Sequence, residues 1–326
     1  MNAKHLLPLL LVVACGGHEA STTDIGAPAP ADTGGGSGSA SSDPQASPAP
    51  GEATTADNLV FAVVGDTRPP SENDIGAYPT SIITAIYGDI AKRNPLFVVG
   101  TGDYQFSSTL GSHASDQMDL YLNARAQYAG PFYPVMGNHE CTGMTASNCG
   151  QGAADGITAN YTAFLTKMLA PIRKTDPYYS IKVSAKDGSW TAKFVFVALN
   201  AWSDAQGTWL DGALSDPTTY TFVVHHEPGN EYSTPGTKPA QAILAKHPYT
   251  LALVGHTHTY RKPYGSYREV IIGNGGAPAT GSVNYGYGLF QRRADGAVQV
   301  DMIDYQTKMP TPSLAFVVKA DGTMAE

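Results

Sequence analysis

The sequence predicts a layered α/β fold, and three observations predict it. From residue 58 onward, short apolar, β-rich runs alternate with segments of helical spacing. In the last third the runs follow one another closely, which points to mostly antiparallel pairing. Motifs rich in Gly, Asp, Asn and His sit just past the ends of the runs, the edge at which open α/β sheets place ligands.

Residues 59–64 (LVFAVV) are a continuous apolar run suited to a buried strand. Ile82, Ile83, Ile86 and Ile90 then recur at helical spacing. Residues 96–99 form the second strand, 116–128 a helix and 132–136 the third strand. A helix over 159–169 precedes strands at 178–183, 192–199, 220–224 and 249–254, and a further helix opens at Gln206. Strands at 269–272, 286–292, 297–303 and 314–318 complete the domain. There is no internal repeat.

Residues 1–57 lie outside that pattern. Lys4 followed by the apolar run from Leu6 to Ala14 has the form of an export signal. The run is far shorter than the ~20 residues that span a bilayer. It ends Val12-Val13-Ala14-Cys15, which resembles the lipobox of bacterial lipoproteins, where the Cys is lipidated and becomes the mature N-terminus. An ordinary secretory signal with an incidental cysteine is the alternative. Residues 16–57 are almost all Ala, Gly, Ser, Thr, Pro and Asp, with too little apolar surface to offset the entropy of ordering them. The expected organisation is a signal over 1–15, a flexible stalk over 16–57 and one domain over 58–326, exported and lipid-anchored to the cell envelope. Cys141 and Cys149 remain, and an exported compartment permits them to pair, with two free thiols as the alternative.

The net charge is -8 and no Lys/Arg-rich run occurs, so no nucleic-acid partner is expected, a nuclease included. An anionic small substrate is not excluded, because bound cations invert a local field.

Five motifs carry the chemistry, and each follows an expected strand: Gly65-Asp66-Thr67-Arg68, Gly102-Asp103, Gly137-Asn138-His139-Glu140, His225-His226-Glu227-Pro228 and Gly255-His256-Thr257-His258. Singly each is weak, since a Gly-Asp pair is usually a turn and His-x-His is common. Jointly they assemble carboxylate, amide and imidazole donors suited to Mn, Zn or Fe. A carboxylate has two oxygens and can join two cations ~3.5–4 Å apart.

In this order the motifs resemble those of the calcineurin-like phosphoesterases (metallophosphoesterases), and among them the purple-acid-phosphatase-like branch. The resemblance covers most of residues 58–280 and is most specific at Gly137-Asn138-His139-Glu140 and Gly255-His256-Thr257-His258. Tyr178-Tyr179-Ser180 and the segment from Gly273 to Pro278 support it. It implies a four-layer αββα sandwich of two mixed sheets flanked by helices, with two divalent or trivalent metal ions between the sheets. By resemblance, Asp103 is the bridging ligand, Asp66 and His258 hold the first metal, and Asn138, His226 and His256 hold the second. His226 keeps the His-x-Pro spacing, with His225 the open alternative. His139 is the acid that protonates the leaving group, and Glu140 orients His139 or a ligand. Two cations against two carboxylates leave the site positive, so it binds a phosphate ester and generates a hydroxide that attacks phosphorus in line.

Two positions depart from the pattern. Arg68 stands where many members have His, and Phe106 where purple acid phosphatases have an iron-binding Tyr. A guanidinium cannot ligate a metal. Arg68 therefore clamps the substrate phosphate, or pairs with a ligand carboxylate, or marks a weakly held metal. The expected function is a phosphomonoesterase or phosphodiesterase. The alternative is a surface lipoprotein with an impaired metal site that binds and hardly catalyses. Trp190, Trp202 and Trp209 are expected in core or rim, Tyr260, Arg261 and Tyr264 on a strand surface, and His5, His18, His113 and His247 match no motif. Oligomeric state is open.

Overall fold

The computed structural model describes residues 54–110, 113–264 and 268–325. The expected signal and Cys15 lie outside the described residues, as does the expected stalk up to residue 53.

The described residues hold fourteen strands: β1 (Thr54–Ala56), β2 (Val60–Val64), β3 (Phe97–Gly100), β4 (Phe132–Pro134), β5 (Tyr179–Ala185), β6 (Thr191–Phe196), β7 (Tyr220–Val224), β8 (Leu251–Val254), β9 (Tyr260–Arg261), β10 (Glu269–Ile272), β11 (Gly286–Arg292), β12 (Val298–Asp304), β13 (Phe316–Val318) and β14 (Met324–Ala325). The α-helices are α1 (Thr80–Arg93), α2 (Ala114–Arg125), α3 (Ala159–Phe164), α4 (Asp204–Ser215) and α5 (Thr237–Leu244). The strands form two seven-stranded mixed sheets, ordered β1-β5-β6-β7-β8-β10-β9 and β14-β13-β12-β11-β2-β3-β4. In the second sheet β2, β3 and β4 are parallel, and β11 to β14 pair antiparallel, as the close spacing of the last runs predicts. In the first sheet β6, β7, β8 and β10 run parallel.

Side-chain alternation along the strands divides the core. Phe61 of β2 stacks on Phe290 of its own sheet at 4.6 Å and meets Phe194 and Phe222 of the other sheet edge-on at 4.8 and 5.1 Å. Such pairs add ~0.5–1.5 kcal/mol each beyond the area they bury. The neighbours on the opposite face, Val195 and Val223, pack instead with Leu210 and Leu214 of α4 and Ala240 and Leu244 of α5. Helices α1 and α2 cover the other sheet. Their Tyr87 and Tyr121 hydroxyls lie 2.6 Å apart, and Tyr287 of β11 donates to Asp89 of α1 at 2.6 Å. The order helix, sheet, sheet, helix is the expected sandwich.

Three details differ from the sequence expectation. Thr54–Ala56, placed in the expected stalk, belong to the fold, because β1 pairs in parallel with β5 at the sheet edge. The helix expected over 159–169 is α-helical only to Phe164 and continues as a π-turn over Leu165–Leu169. Helix α5 was not among the expected elements; its eight residues are few, and Pro239 sits in its first turn, where a missing N–H costs nothing.

Candidate metal centre

Parallel strands β2, β3 and β4 of one sheet and β7 and β8 of the other each lead directly into one of the five motifs. Backbone hydrogen bonds knit these loops together. Asp66 N–H donates to the Gly102 carbonyl at 3.0 Å, Thr67 N–H to Asp103 at 3.0 Å and Gly255 N–H to His226 at 2.8 Å. Asp66, Asp103, His256 and His258 all have left-handed backbone, with φ of 54°, 58°, 70° and 49°. For residues with a Cβ that conformation costs ~1–3 kcal/mol and persists only where the surroundings impose it. Two glycines admit the close approach. A Cβ on Gly137 would sit 2.4 Å from Asp103 Oδ1, and one on Gly255 2.4 Å from Asp66 Oδ2.

The loops gather two groups of side chains able to hold a metal ion: Asp66, Asp103 and His258 in one, His226, Glu227 and His256 in the other, with the donor atoms of each within 4.8 Å of one another. Asp103 reaches both groups, its Oδ1 lying 3.2 Å from His226 Nε2. Asn138 Oδ1 lies 3.2 Å from His226 Nε2 and 3.3 Å from His256 Nδ1. His258 Nε2 is 3.6 Å from Asp66 Oδ1. All six residues predicted as ligands are therefore brought together.

Neighbouring groups set which atom each side chain offers. His226 Nδ1 faces the Thr101 carbonyl at 2.7 Å, which makes it the protonated nitrogen and leaves the Nε2 lone pair toward Asp103 and Asn138. The Pro278 carbonyl does the same for His258 Nδ1 at 3.1 Å. Asn138 donates its amide to the Gly143 carbonyl at 2.6 Å, so its oxygen faces the cluster. Gly143 lies in the loop closed by the Cys141–Cys149 disulfide, whose Cα atoms are 5.6 Å apart. Glu140 accepts backbone N–H from Asp103 at 3.0 Å, Tyr104 at 2.9 Å and Gly137 at 2.8 Å. It fixes the loop of Asp103 rather than the ring of His139. His225, the open alternative to His226, points its Nδ1 at the Glu227 carbonyl at 2.7 Å and joins neither group.

Burial raises Asp66 well above the carboxylate range, with Asp103 adding to the rise against the pull of His226. Asp103 is held well below that range, because His226, His139 and Arg68 together outweigh its burial. Burial would depress His226, but Asp103 and Asp66 raise it well above its ordinary value. His256 is lowered to about 4, by burial first and then by His226. Glu140 and Glu227 are both raised to about 7 by burial. Free of metal, these surroundings favour the protonated forms of Asp66 and His226, which a pair of cations would disfavour. Carboxylate, amide oxygen and imidazole donors fit hard or borderline cations.

Arg68, His139 and Phe106 form a wall beside Asp103. Arg68 Nε lies 3.7 Å and His139 Nε2 3.9 Å from Asp103 Oδ2. The Arg68 guanidinium sits 4.7 Å over the Phe106 ring, and His139 meets that ring edge-on at 4.5 Å. Phe106 thus packs between Arg68 and His139 where a Tyr ligand was absent from the sequence pattern. Burial, with Arg68 adding to it against Asp103, lowers His139 to about 3. The free site holds this ring neutral.

The remaining expectations sort as packing. Trp190 is buried, and Trp202 and Trp209 are half-buried against the α4 and α5 cluster. Tyr260 is buried rather than on the strand surface, and Arg261 covers the Tyr264 ring at 4.0 Å. His113 and His247 face Asp116 and Asp211. Sequence reasoning gave no role to Thr101, Gly143 or Glu227. The first two act through backbone carbonyls, which leave no mark on residue identity, whereas Glu227 stood in a motif already singled out.

Comparison with known proteins agrees with this geometry. The calcineurin-like phosphoesterase family profile matches residues 59–260. In fold the chain is similar to a purple acid phosphatase from yellow lupin (Lupinus luteus) seeds, with a TM-score of 0.59 at 16% identity over 83% of this chain and 55% of that one. It therefore spans about half the length of the lupin protein. It is similar also to a dimetal phosphatase from Danio rerio, with a TM-score of 0.55 at 12% identity over 81% of this chain and 100% of that one. No curated protein sequence matches it. The chain belongs to the calcineurin-like phosphoesterase family.

Proposed function

We propose that the chain is a two-metal phosphoric ester hydrolase acting on a small phosphomonoester or phosphodiester. The observation that carries this reading is the convergence of six side chains, Asp103 among them, from five separate loops. The names of the two similar structures, a purple acid phosphatase and a dimetal phosphatase, support the same reaction class.

Asp66, Asp103 and His258 would hold one metal, and Asp103, Asn138, His226 and His256 the other. When bound, the pair supplies Lewis-acid charge and a nucleophile drawn from water at neutral pH. Arg68, its guanidinium over the Phe106 ring and its Nε beside Asp103, would clamp the substrate phosphate. Its Nη1 donates to the Pro69 carbonyl at 3.1 Å, and its buried Nε, 3.7 Å from Asp103, is too far for a hydrogen bond to that carboxylate. His139 donates a proton to the leaving oxygen. Burial holds it neutral in the free site, and a phosphate dianion seated within a few ångströms favours its charged form. We propose further that the protein is exported and lipid-anchored through Cys15, the disulfide being compatible with that compartment.

The test is an aryl phosphate assay on protein stripped by chelator and reloaded with Mn, Zn or Fe. Turnover should return with at least one of them. Two tightly held metals with turnover would favour the enzyme, and none or one without turnover would favour the binding-module alternative with its impaired metal site.

A further inference from the structure

Glu227 follows His226 directly, yet the six-residue set above leaves it without a task. Its side chain is fully buried, and among the described residues no other residue donates a hydrogen bond to either carboxylate oxygen. A buried carboxylate with no donor is among the costlier things a fold can hold, by several kcal/mol. Every other acidic residue at the centre has partners. Glu140 takes three backbone N–H groups, Asp66 takes the His256 N–H at 3.0 Å, and Asp103 takes the His139 N–H at 3.2 Å. Glu227 instead offers an oxygen within 4.8 Å of the donor atoms of His226 and His256.

The charge distribution points the same way. Without Glu227 the first metal has a carboxylate of its own, Asp66, while the second has only neutral Asn138, His226 and His256 beside the shared Asp103. We propose that Glu227 is an additional anionic ligand of the second metal, so that each cation has one private carboxylate and one shared one. The second site then offers three oxygens, from Asp103, Asn138 and Glu227, against two nitrogens. That balance favours a harder cation such as Mn(II) over softer competitors. It also lowers the net charge of the loaded site by one, which makes Arg68 the added positive group facing a phosphate.

This inference rests on the two-metal reading, and the experiment separates the two. Chelator-stripped wild-type chain, E227Q and E227D are titrated with Mn(II) by calorimetry, with metal content measured after dialysis. The wild type should bind two Mn(II). E227Q keeps the volume and loses the anion, so its weaker site should lose affinity by ~10- to 100-fold while the other stays unchanged. E227D, one methylene shorter, should lie between them. Wild-type protein taking two ions with E227Q titrating identically overturns the assignment of Glu227 alone. Wild-type protein taking none overturns it together with the two-metal reading. Mn-loaded wild-type crystals give a second decision that needs no variant. A Glu227 oxygen within ~2.0–2.6 Å of the anomalous peak is expected, and one outside that shell overturns the proposal.

Discussion

At the scale of single residues, Asp103 and His139 are expected to fail differently. Asp103→Ala removes the side chain that both metal groups share, so metal analysis should find at most one ion per chain and turnover should fall by several orders of magnitude. His139→Ala removes no ligand. It should retain both metals and lose ~10²- to 10⁴-fold in kcat/KM on alkyl phosphates, but much less on aryl phosphates, whose leaving groups need little proton donation. Equal losses on both substrate types would contradict the acid role. Protons belong to this scale too. Metal-free His226 is raised by Asp103 and Asp66 against its burial, which favours the protonated ring, whereas ligation needs the neutral one. Metal uptake should therefore release protons, seen as buffer-dependent calorimetric heats. Affinity should weaken as pH falls below the raised His226 value and level off above it. Most of these residues were legible in the sequence because donor chemistry is confined to a few residue types. The orienting carbonyls of Thr101, Gly143 and Pro278 were not, since any residue supplies a carbonyl.

At the scale of elements, the site depends on loops held in shapes that their own residues resist. Four left-handed non-glycine residues in the motifs are strained in isolation, and Glu140 binds the Asp103 and Gly137 loops to one another through three N–H groups. Glu140→Ala should cost ~3 kcal/mol in denaturant unfolding, from the unmade bonds of buried backbone donors. Gly137→Ala presses a methyl against Asp103 Oδ1, so it should lower metal content with little change in far-UV circular dichroism. Strands were legible because β2, β3, β7 and β8 are apolar on both faces and end in Gly or polar residues. Short elements were not. The three residues of β1 take their order from β5, and the eight residues of α5 pack against α4, both too short to stand out in the sequence.

At the scale of the molecule, two mixed sheets bury an aromatic core between them and bring loops from both to one edge. Neither sheet alone supplies the site: Asp66, Asp103 and Asn138 come from one, His226, His256 and His258 from the other. Metal binding should therefore stabilise the whole fold, by ~2.7 kcal/mol per site at free metal a hundredfold above Kd. The four-layer arrangement was reachable from the sequence only through resemblance, because strand order across two sheets depends on contacts far apart in the chain. The most direct test of the central claim is anomalous diffraction from metal-loaded crystals. Two peaks on either side of the Asp103 carboxylate, one beside Asp66 and His258 and the other beside Asn138, His226 and His256, are the predicted result. A single peak away from Asp103, or none, would contradict it.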